Sequence, residues 1–137
     1  GLSDGVVIVE DMNSVRLIIK DSLLFSSGEA DIGSQAVKKI LPVVKMLGDL
    51  PEPYNISVEG HTDDVPSSNR KYRSNWHLSS ARSLAVLDLF ETNGVPARRL
   101  SARAYGDQKP MVPNFDDSGN PNAENRRRNR RVVIRIR

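Results

Sequence analysis

The stretch that decides the fold is "VEGHTDDVPSSNRKYRSNWHLSSARSLAV", residues 58–86, because it joins a strand pattern to a helix pattern. The apolar run "ISVEG" overlaps its start and predicts a short strand. After a polar loop, a helix is predicted from Asn75 to Asn93, where Asn-Gly supplies a C-terminal stop. Its buried stripe is predicted to contain Leu78, Ala81, Ala85, Val86 and Leu89. A strand, a loop and an amphipathic helix in this order predict a helix packed on a sheet.

Upstream of this stretch, the chain predicts a β-hairpin and a first helix. "GVVIVEDMNSVRLIIK" contains two β-rich runs around Asp-Met-Asn-Ser, and "FSSGEADI" is a predicted loop. From Gly33 the apolar residues follow a helical period, with Ser34 as the candidate N-cap. Pro42 lies inside this pattern and is expected to kink or divide the helix.

Downstream, "RLSARAYG" predicts a third core strand. A long polar loop with three prolines and a short helical turn then leads to the last strand, "RVVIRI". We expect one α+β domain over residues 1–137, a two-layer sandwich with both main helices on one face of a mixed sheet. Residues 1–14 are expected to be a lead-in strand or a linker from an upstream membrane anchor.

The composition of the chain excludes several classes of functional site. The 137 residues contain no cysteine, which excludes disulfides, thiolate metal sites and cysteine nucleophiles. No run approaches the roughly 18 apolar residues of a membrane span, and no signal-peptide pattern is present. Because the chain begins with Gly-Leu rather than Met, we expect a fragment of a longer protein.

The last twelve residues contain seven arginines and no acid. Such a run is typical either of a solvated strand edge after an arginine-rich turn or of a nucleic-acid patch. The basic end offers only Tyr105 and Phe115 as nearby aromatic residues, too few for base-stacking platforms. We therefore favour the solvated strand edge and expect no nucleic-acid partner.

Arg82 is the informative charge of the second helix. It lies about 40° from Leu78 on the helical wheel, at the border of the buried stripe. A guanidinium there needs a partner, and Asp63 and Asp64 of the preceding loop are the nearest plausible counterions at the same edge of the sheet. One interpretation is a structural salt bridge between Asp63 and Arg82. The other is a site for a zwitterion, whose ammonium meets Asp63 while its carboxylate meets Arg82.

Two other classes of site are conceivable. His61, Asp63, Asp64 and His77 could form a zinc set, but their spacing matches no known ligand pattern, so no metal or cofactor is expected. The chain has no G-x-S-x-G or H-E-x-x-H motif, which argues against a hydrolase, and no catalytic residue is assigned. Trp76, at the start of the helix, is expected to cover a core edge, with stacking on a sugar as the alternative.

Four motifs resemble one known family in order along the chain. They are "LLFSSGEADI", the stretch at 58–86, "YGDQKPMVPN" and "ENRRRNRRVVIRI". Together, from about Val15 to Ile136, they resemble the OmpA-like peptidoglycan-binding domain. Within that family, the expanded "DDVPSSNRKYR" loop, "SNWHLSSAR" and "PMVPN" look most like MotB-type flagellar motor stator subunits.

The resemblance implies a binding site for diaminopimelate, an amino acid of the peptidoglycan stem peptide. By position, Asp63 would hold its ammonium and Arg82 its carboxylate. Matching motif positions that line the same groove are Thr62, Asn75, Leu78, Asn129, Arg130 and Arg131. Because successive strand residues point to opposite faces, one of the last two arginines should reach the site, and Arg130 is favoured. No role is assigned to the extra arginines 126–128.

The same resemblance implies a non-catalytic module that anchors a stator to the cell wall. It implies the periplasmic domain of an inner-membrane protein, paired as a homodimer and joined to a stator A subunit through an upstream membrane helix. The alternative within the family is a wall anchor of the outer-membrane porin or lipoprotein type, without a motor role. The alternative from another class is a metal-dependent hydrolase.

Overall fold

The computed structural model describes residues 5–137, which form a five-stranded mixed sheet and four α-helices. In chain order these are β1 (Val6–Glu10), β2 (Val15–Lys20), α1 (Asp21–Leu24), α2 (Ser34–Gly48), β3 (Ile56–His61), α3 (Asn75–Thr92), β4 (Leu100–Ala104), α4 (Ala123–Asn129) and β5 (Arg131–Ile136). Residues 1–4 of the expected lead-in lie outside the described residues, whereas β1 is an edge strand of the sheet.

The strand order β1-β2-β5-β3-β4 explains how distant segments meet. The last strand, β5, lies in the middle of the sheet and pairs antiparallel with both β2 and β3. The carboxyl ends of β2 and β3 therefore share one edge, where β5 begins. β3 and β4 are parallel and are connected through α3.

The core lies between one face of the sheet and the helices α2 and α3, which confirms the predicted two-layer α+β fold. On β5, Val132, Ile134 and Ile136 face this core, while the alternate residues face the other side. The apolar stripe of α2 packs against them with Ile40, Val43, Val44 and Leu47. Within residues 5–137, no helix is long and apolar enough to cross a membrane.

The helix α3 lies very close to β3, and its buried stripe differs from the prediction. Ala81, Ala85 and Leu89 are only half-buried, whereas the fully shielded positions include Ser79, Ser83 and Phe90. A Cβ atom on Gly60 would lie 2.3 Å from the carbonyl oxygen of Ser79. The two backbones lie so close together that only small side chains, such as Ser79 and Ser83, fit between α3 and the sheet.

The structure changes two local expectations for α2. Of the two outcomes expected at Pro42, division of the helix does not occur, because α2 continues from Ser34 to Gly48. Pro42 is exposed, as is Lys38, whose carbonyl loses its usual helical donor, so water can satisfy that carbonyl. Ser34 is the first helical residue rather than the cap; Gly33 occupies the cap position without a side-chain hydrogen bond.

Candidate functional site

A cavity of about 390 Å³ opens at the edge where β2 and β3 end and β5 begins. Its walls come from α1 and the loop after it, from the loop after β3, from the first two turns of α3, and from Arg130. We call it the α1–α3 cavity. Asp63, Arg82, Thr62, Asn75, Leu78 and Arg130 all line it, so the fold brings six of the eight predicted site residues together.

Asp63 lies just beyond β3 and is buried. Its Oδ2 accepts a hydrogen bond from Nη1 of Arg130 at 2.6 Å, and its Oδ1 accepts one from the backbone N–H of Val65 at 3.0 Å. One carboxylate oxygen is therefore committed to the turn of the loop. The other faces a guanidinium that is partly exposed.

Arg82 is 3% exposed and is held by partners other than Asp63. Its Nη1 donates to Oδ2 of Asp21 at 2.9 Å, and its Nε donates to the carbonyl of Glu29 at 2.8 Å. A longer bond of 3.4 Å joins Nη2 to the carbonyl of Ser26. The predicted structural salt bridge between Asp63 and Arg82 was wrong, because α1 inserts Asp21 beside the guanidinium.

Four charges alternate along the cavity wall. Arg82 contacts Asp21, Nε of Arg130 lies 3.6 Å from the same Asp21 oxygen, and Arg130 bonds to Asp63. Burial raises the pKa of the Asp21 carboxyl, while Arg82 and Arg130 pull that pKa in the opposite direction. The result is a compact polar network in which each carboxylate lies beside a guanidinium.

Thr62 and Asn75 shape the loop that carries Asp63. Thr62 Oγ1 donates to the carbonyl of Asp63 at 2.8 Å, and Asn75 Nδ2 donates to the carbonyl of Val65 at 3.0 Å. The side chain of Ser74 caps α3 by accepting from the backbone N–H of His77. Leu78 supplies an apolar part of the cavity wall.

The other two predicted residues do not reach the α1–α3 cavity. Arg131 lies on the opposite face of the sheet and donates to the carbonyls of Asn129 and Lys109. The choice of Arg130 over Arg131 therefore agrees with the geometry, because adjacent residues face opposite ways. Asn129 is fully buried and clamps the long loop: its Oδ1 accepts from the N–H groups of Met111 and Val112.

Asp21 and the aromatic ring of Phe25 were missed as parts of the site. The guanidinium carbon of Arg82 lies 4.8 Å from the centre of the Phe25 ring. The only sequence signal for Asp21 is its place directly after the strand β2. Its place shows that Asp21 lies near Asp63 only when the sheet order is known, because β2 and β3 run in the same direction on either side of β5.

The conceivable metal set is dispersed. His61 faces the side of the sheet away from Asp63, and exposed His77 contacts Ser74 Oγ through Nδ1 at 2.7 Å. Asp64 accepts two hydrogen bonds from Arg126, at 2.8 and 3.0 Å. Across the described part of the chain, no group of three or more His, Cys, Asp or Glu is placed to hold a metal ion.

Trp76 combines packing and exposure. It is 50% exposed, and its inner edge lies against Gly106, where an added Cβ atom would be 3.5 Å from the ring. Arg126 joins the loop after β3 to α4, and its guanidinium also lies 5.2 Å from the ring of Phe115. One of the three extra arginines therefore has a structural role in holding this loop.

The fold and the charged cavity define an α+β domain with a polar site at one edge of its sheet, and comparison with known families identifies which family this is. The chain belongs to the OmpA family, whose model matches residues 24–129. Among curated proteins it is similar to Motility protein B of Bacillus subtilis, with 38% identity over 121 residues. That match covers 88% of this chain and 44% of the relative, so the chain spans less than half of that protein.

Two solved structures extend the comparison. The cell wall anchor of the T6SS from Pseudomonas aeruginosa has a TM-score of 0.86 and 29% identity, covering 98% of this chain and 88% of that one. The periplasmic domain of Helicobacter pylori MotB has a TM-score of 0.83 and 30% identity, covering 96% and 81%. These matches confirm the predicted OmpA-like, MotB-like fold.

Proposed function

We propose that this domain binds peptidoglycan without forming a covalent bond and thereby anchors a flagellar motor stator to the cell wall. The observation that carries the proposal is the alternation of Asp63, Arg130, Asp21 and Arg82 along one open cavity. The similarity to Motility protein B and to a protein named as a cell wall anchor supports the same assignment.

The proposed ligand is the zwitterionic end of diaminopimelate in the stem peptide. Its ammonium would take Oδ2 of Asp63, which now accepts from the partly exposed Arg130. Its carboxylate would meet Arg82, whose guanidinium has five N–H donors and directs three to protein acceptors. Each charge-assisted contact is expected to contribute about 1.5–3 kcal/mol.

The proposal extends to the whole protein. In it, this domain is the periplasmic part of an inner-membrane protein, works as a homodimer, and connects to a stator A subunit through an upstream membrane helix. In this proposal the role is mechanical. The domain holds the stator in place under load and catalyses no reaction. Asp63 and Arg82 would then transmit force from the stem peptide to β3 and α3.

A second role within the same family is a wall anchor without a motor. The T6SS cell wall anchor matches this chain over nearly its whole length, and this match supports a wall-anchoring role outside the flagellar motor. Deleting the gene and tracking swimming separates the two roles. A swimming defect supports the stator, and normal swimming with reduced wall retention supports the other anchor.

The binding test is a pull-down with purified peptidoglycan sacculi. Asp63→Asn is expected to lower the bound fraction by about tenfold, because the amide no longer attracts an ammonium. Asp88→Asn is the matched control, since Asp88 is exposed on α3 and does not line the α1–α3 cavity. Equal binding of both variants and the unchanged protein would contradict the proposed site.

Ligand identity is tested with sacculi that contain lysine in place of diaminopimelate. Lysine lacks the second carboxylate, so the contact with Arg82 is lost and weaker binding is expected. Arg82→Lys should reduce the preference for diaminopimelate, with circular dichroism confirming that the variant is folded. Equal retention on both kinds of sacculi would contradict diaminopimelate recognition while leaving peptidoglycan binding intact.

A further inference from the structure

A second cavity of about 200 Å³ lies on the face of the sheet opposite α2 and α3. Its wall includes Arg16 from β2, Glu59 and His61 from β3, Lys109 from the long loop, and Arg131 and Arg135 from β5. We call it the sheet-face cavity. It is separated from the α1–α3 cavity by the sheet itself, and the proposed peptidoglycan site uses none of these residues.

Positive charge dominates the sheet-face cavity. Among the described residues that line it, four are Lys or Arg and one is a carboxylate, Glu59. That carboxylate is already engaged: Arg135 Nε donates to it at 3.1 Å, and His61 Nε2 lies 3.6 Å away. Burial lowers the pKa of His61, so its ring adds no positive charge at neutral pH.

Arg131 is a buried cation that forms no salt bridge with any residue that the structure describes. It is 7% exposed, and its Nη1 and Nη2 donate to neutral backbone carbonyls of Asn129 and Lys109. Its Nε is buried and has no hydrogen-bond partner within residues 5–137. Burial lowers the pKa of Arg131 to about 10, which still leaves the guanidinium charged at neutral pH. A buried charged donor without an acceptor is costly, and an anion in the cavity would remove that cost.

Arg16 and Lys109 supply charge at the rim of the same cavity. Lys109 is exposed, and its Nζ lies 4.7 Å from the centre of the Tyr105 ring, which in turn stacks on His61. Arg16 lies directly across the β2–β5 pair from Arg135, and its Nε is 3.6 Å from an Asp11 oxygen. Like charges directly opposite each other destabilise a sheet, and Glu59 and Asp11 each offset only one member of this pair, so the cavity keeps an excess of positive charge.

We propose that the sheet-face cavity binds a phosphate-class oxyanion through Arg131, Lys109 and Arg16. The three cations come from β5, from the loop after β4 and from β2, so they approach the cavity from different directions. A tetrahedral anion with several acceptor oxygens suits this arrangement better than a planar carboxylate, which one guanidinium can satisfy alone. The ligand is a phosphate, a phosphate ester or the phosphate of a lipid headgroup.

The first test titrates the intact domain with inorganic phosphate at constant ionic strength and follows its amide and arginine Nε–H signals by NMR. Saturable shifts are expected at residues 105–111 and 131–135 and at the Nε–H of Arg131. Lys109→Glu should weaken phosphate binding by about tenfold, since it reverses a rim charge. The matched control is Lys38→Glu, on an exposed lysine of α2 across the sheet, and it should leave affinity within about twofold.

Non-saturable shifts, or an equal effect of Lys109→Glu and Lys38→Glu, would overturn the proposal. Lys109→Glu should keep the fold, because only the backbone carbonyl of Lys109 holds Arg131. An Arg16→Gln variant gives a second, independent loss of rim charge.

Further arms identify the source of the phosphate. Competition by glycerol 3-phosphate indicates a soluble ester. Retention on phosphatidylglycerol vesicles but not on phosphatidylcholine vesicles, abolished by Lys109→Glu, indicates a lipid headgroup. Binding of inorganic phosphate alone supports the free anion. Asp63→Asn should leave phosphate binding unchanged, and Lys109→Glu should leave sacculus binding unchanged, so the two proposals fail separately.

Discussion

Arg82 on α3 bonds to Asp21 on α1 at 2.9 Å although 61 residues separate them along the chain. The bond is buried, with both side chains almost shielded from solvent. It ties α1 to α3, the helix that follows β3, and so it forms one wall of the α1–α3 cavity. Arg82 is thus both a proposed ligand contact and a structural link.

Replacing Arg82 should reduce stability as well as binding. Arg82→Ala leaves Asp21 buried without its main partner and frees the carbonyl of Glu29. We expect the free energy of unfolding to fall by about 3–5 kcal/mol, as is usual when one member of a buried ion pair is removed. Urea unfolding followed by circular dichroism measures this change.

A double-mutant cycle with Arg82→Ala and Asp21→Asn measures the interaction energy between these two side chains, apart from their contacts with other residues. The two substitutions together should cost less than the sum of the single losses, because the shared contact can be lost only once. Strict additivity would show that Arg82 and Asp21 act independently. The sacculus pull-down for Arg82 variants is then interpreted at a temperature where each is folded.

The close approach of β3 and α3 makes Gly60 a sensitive position. Gly60→Ala places a Cβ 2.3 Å from the Ser79 carbonyl oxygen, a backbone atom of α3 that cannot move aside as a flexible side chain could. The expected loss is about 3 kcal/mol or more in the free energy of unfolding, from overpacking. Gly33→Ala is the control because nothing lies within 4 Å of its Cβ, and it should cost less than about 1 kcal/mol. Similar losses at both positions would contradict the packing argument.

Glu59 should make the domain sensitive to acid. Burial opposes its ionisation, but close contacts with His61 and Arg135 outweigh burial and hold its pKa at about 2, against 4.5 ordinarily. Between these values the unfolded chain binds a proton that the folded chain does not. Stability from Glu59 is therefore full above about pH 5 and is lost as pH falls toward 2.

The measurement compares urea unfolding at pH 6 and at pH 3. From this one group, the loss over that interval is about 2 kcal/mol. Glu59→Gln keeps the shape but removes the titration, so this variant should lose correspondingly less stability over the same interval. If both proteins lose the same amount, the depressed pKa of Glu59 is wrong.

Asn129 should govern the order of the long loop. Asn129→Ala removes the acceptor for two backbone N–H groups and the donor to the Val112 carbonyl and to Asn114. We expect a loss of roughly 2–4 kcal/mol and faster hydrogen exchange at Met111 and Val112. Unchanged exchange at these two amides would show that the loop is held by other contacts.

The buried strands and the main helices were predictable because their signals are local. Alternation in "SVRLIIK" and the helical period after Gly33 each depend on residues only a few positions apart. Thr62, Asn75 and Leu78 were assigned to the same groove as Asp63 through the family resemblance, and all four residues line the α1–α3 cavity. The short helix α1 was not predicted, because four residues are too few to show a helical period. That α2 is not divided at Pro42 depends on the exposure of the proline and of Lys38, which the sequence pattern alone does not give.

By itself, the sequence determined the fold class, the hairpin, the loop that carries Asp63 and the approach of Arg82 to a buried side. Only the tertiary structure decided which acid meets which guanidinium. Inserting β5 between β2 and β3 brings Asp21, Asp63 and Arg130 to one edge, and sends Arg131 to the other face. Ion pairs depend on distances between chain segments that no local pattern encodes, so Arg82 pairs with Asp21 of α1 rather than with Asp63 of the loop that precedes its own helix.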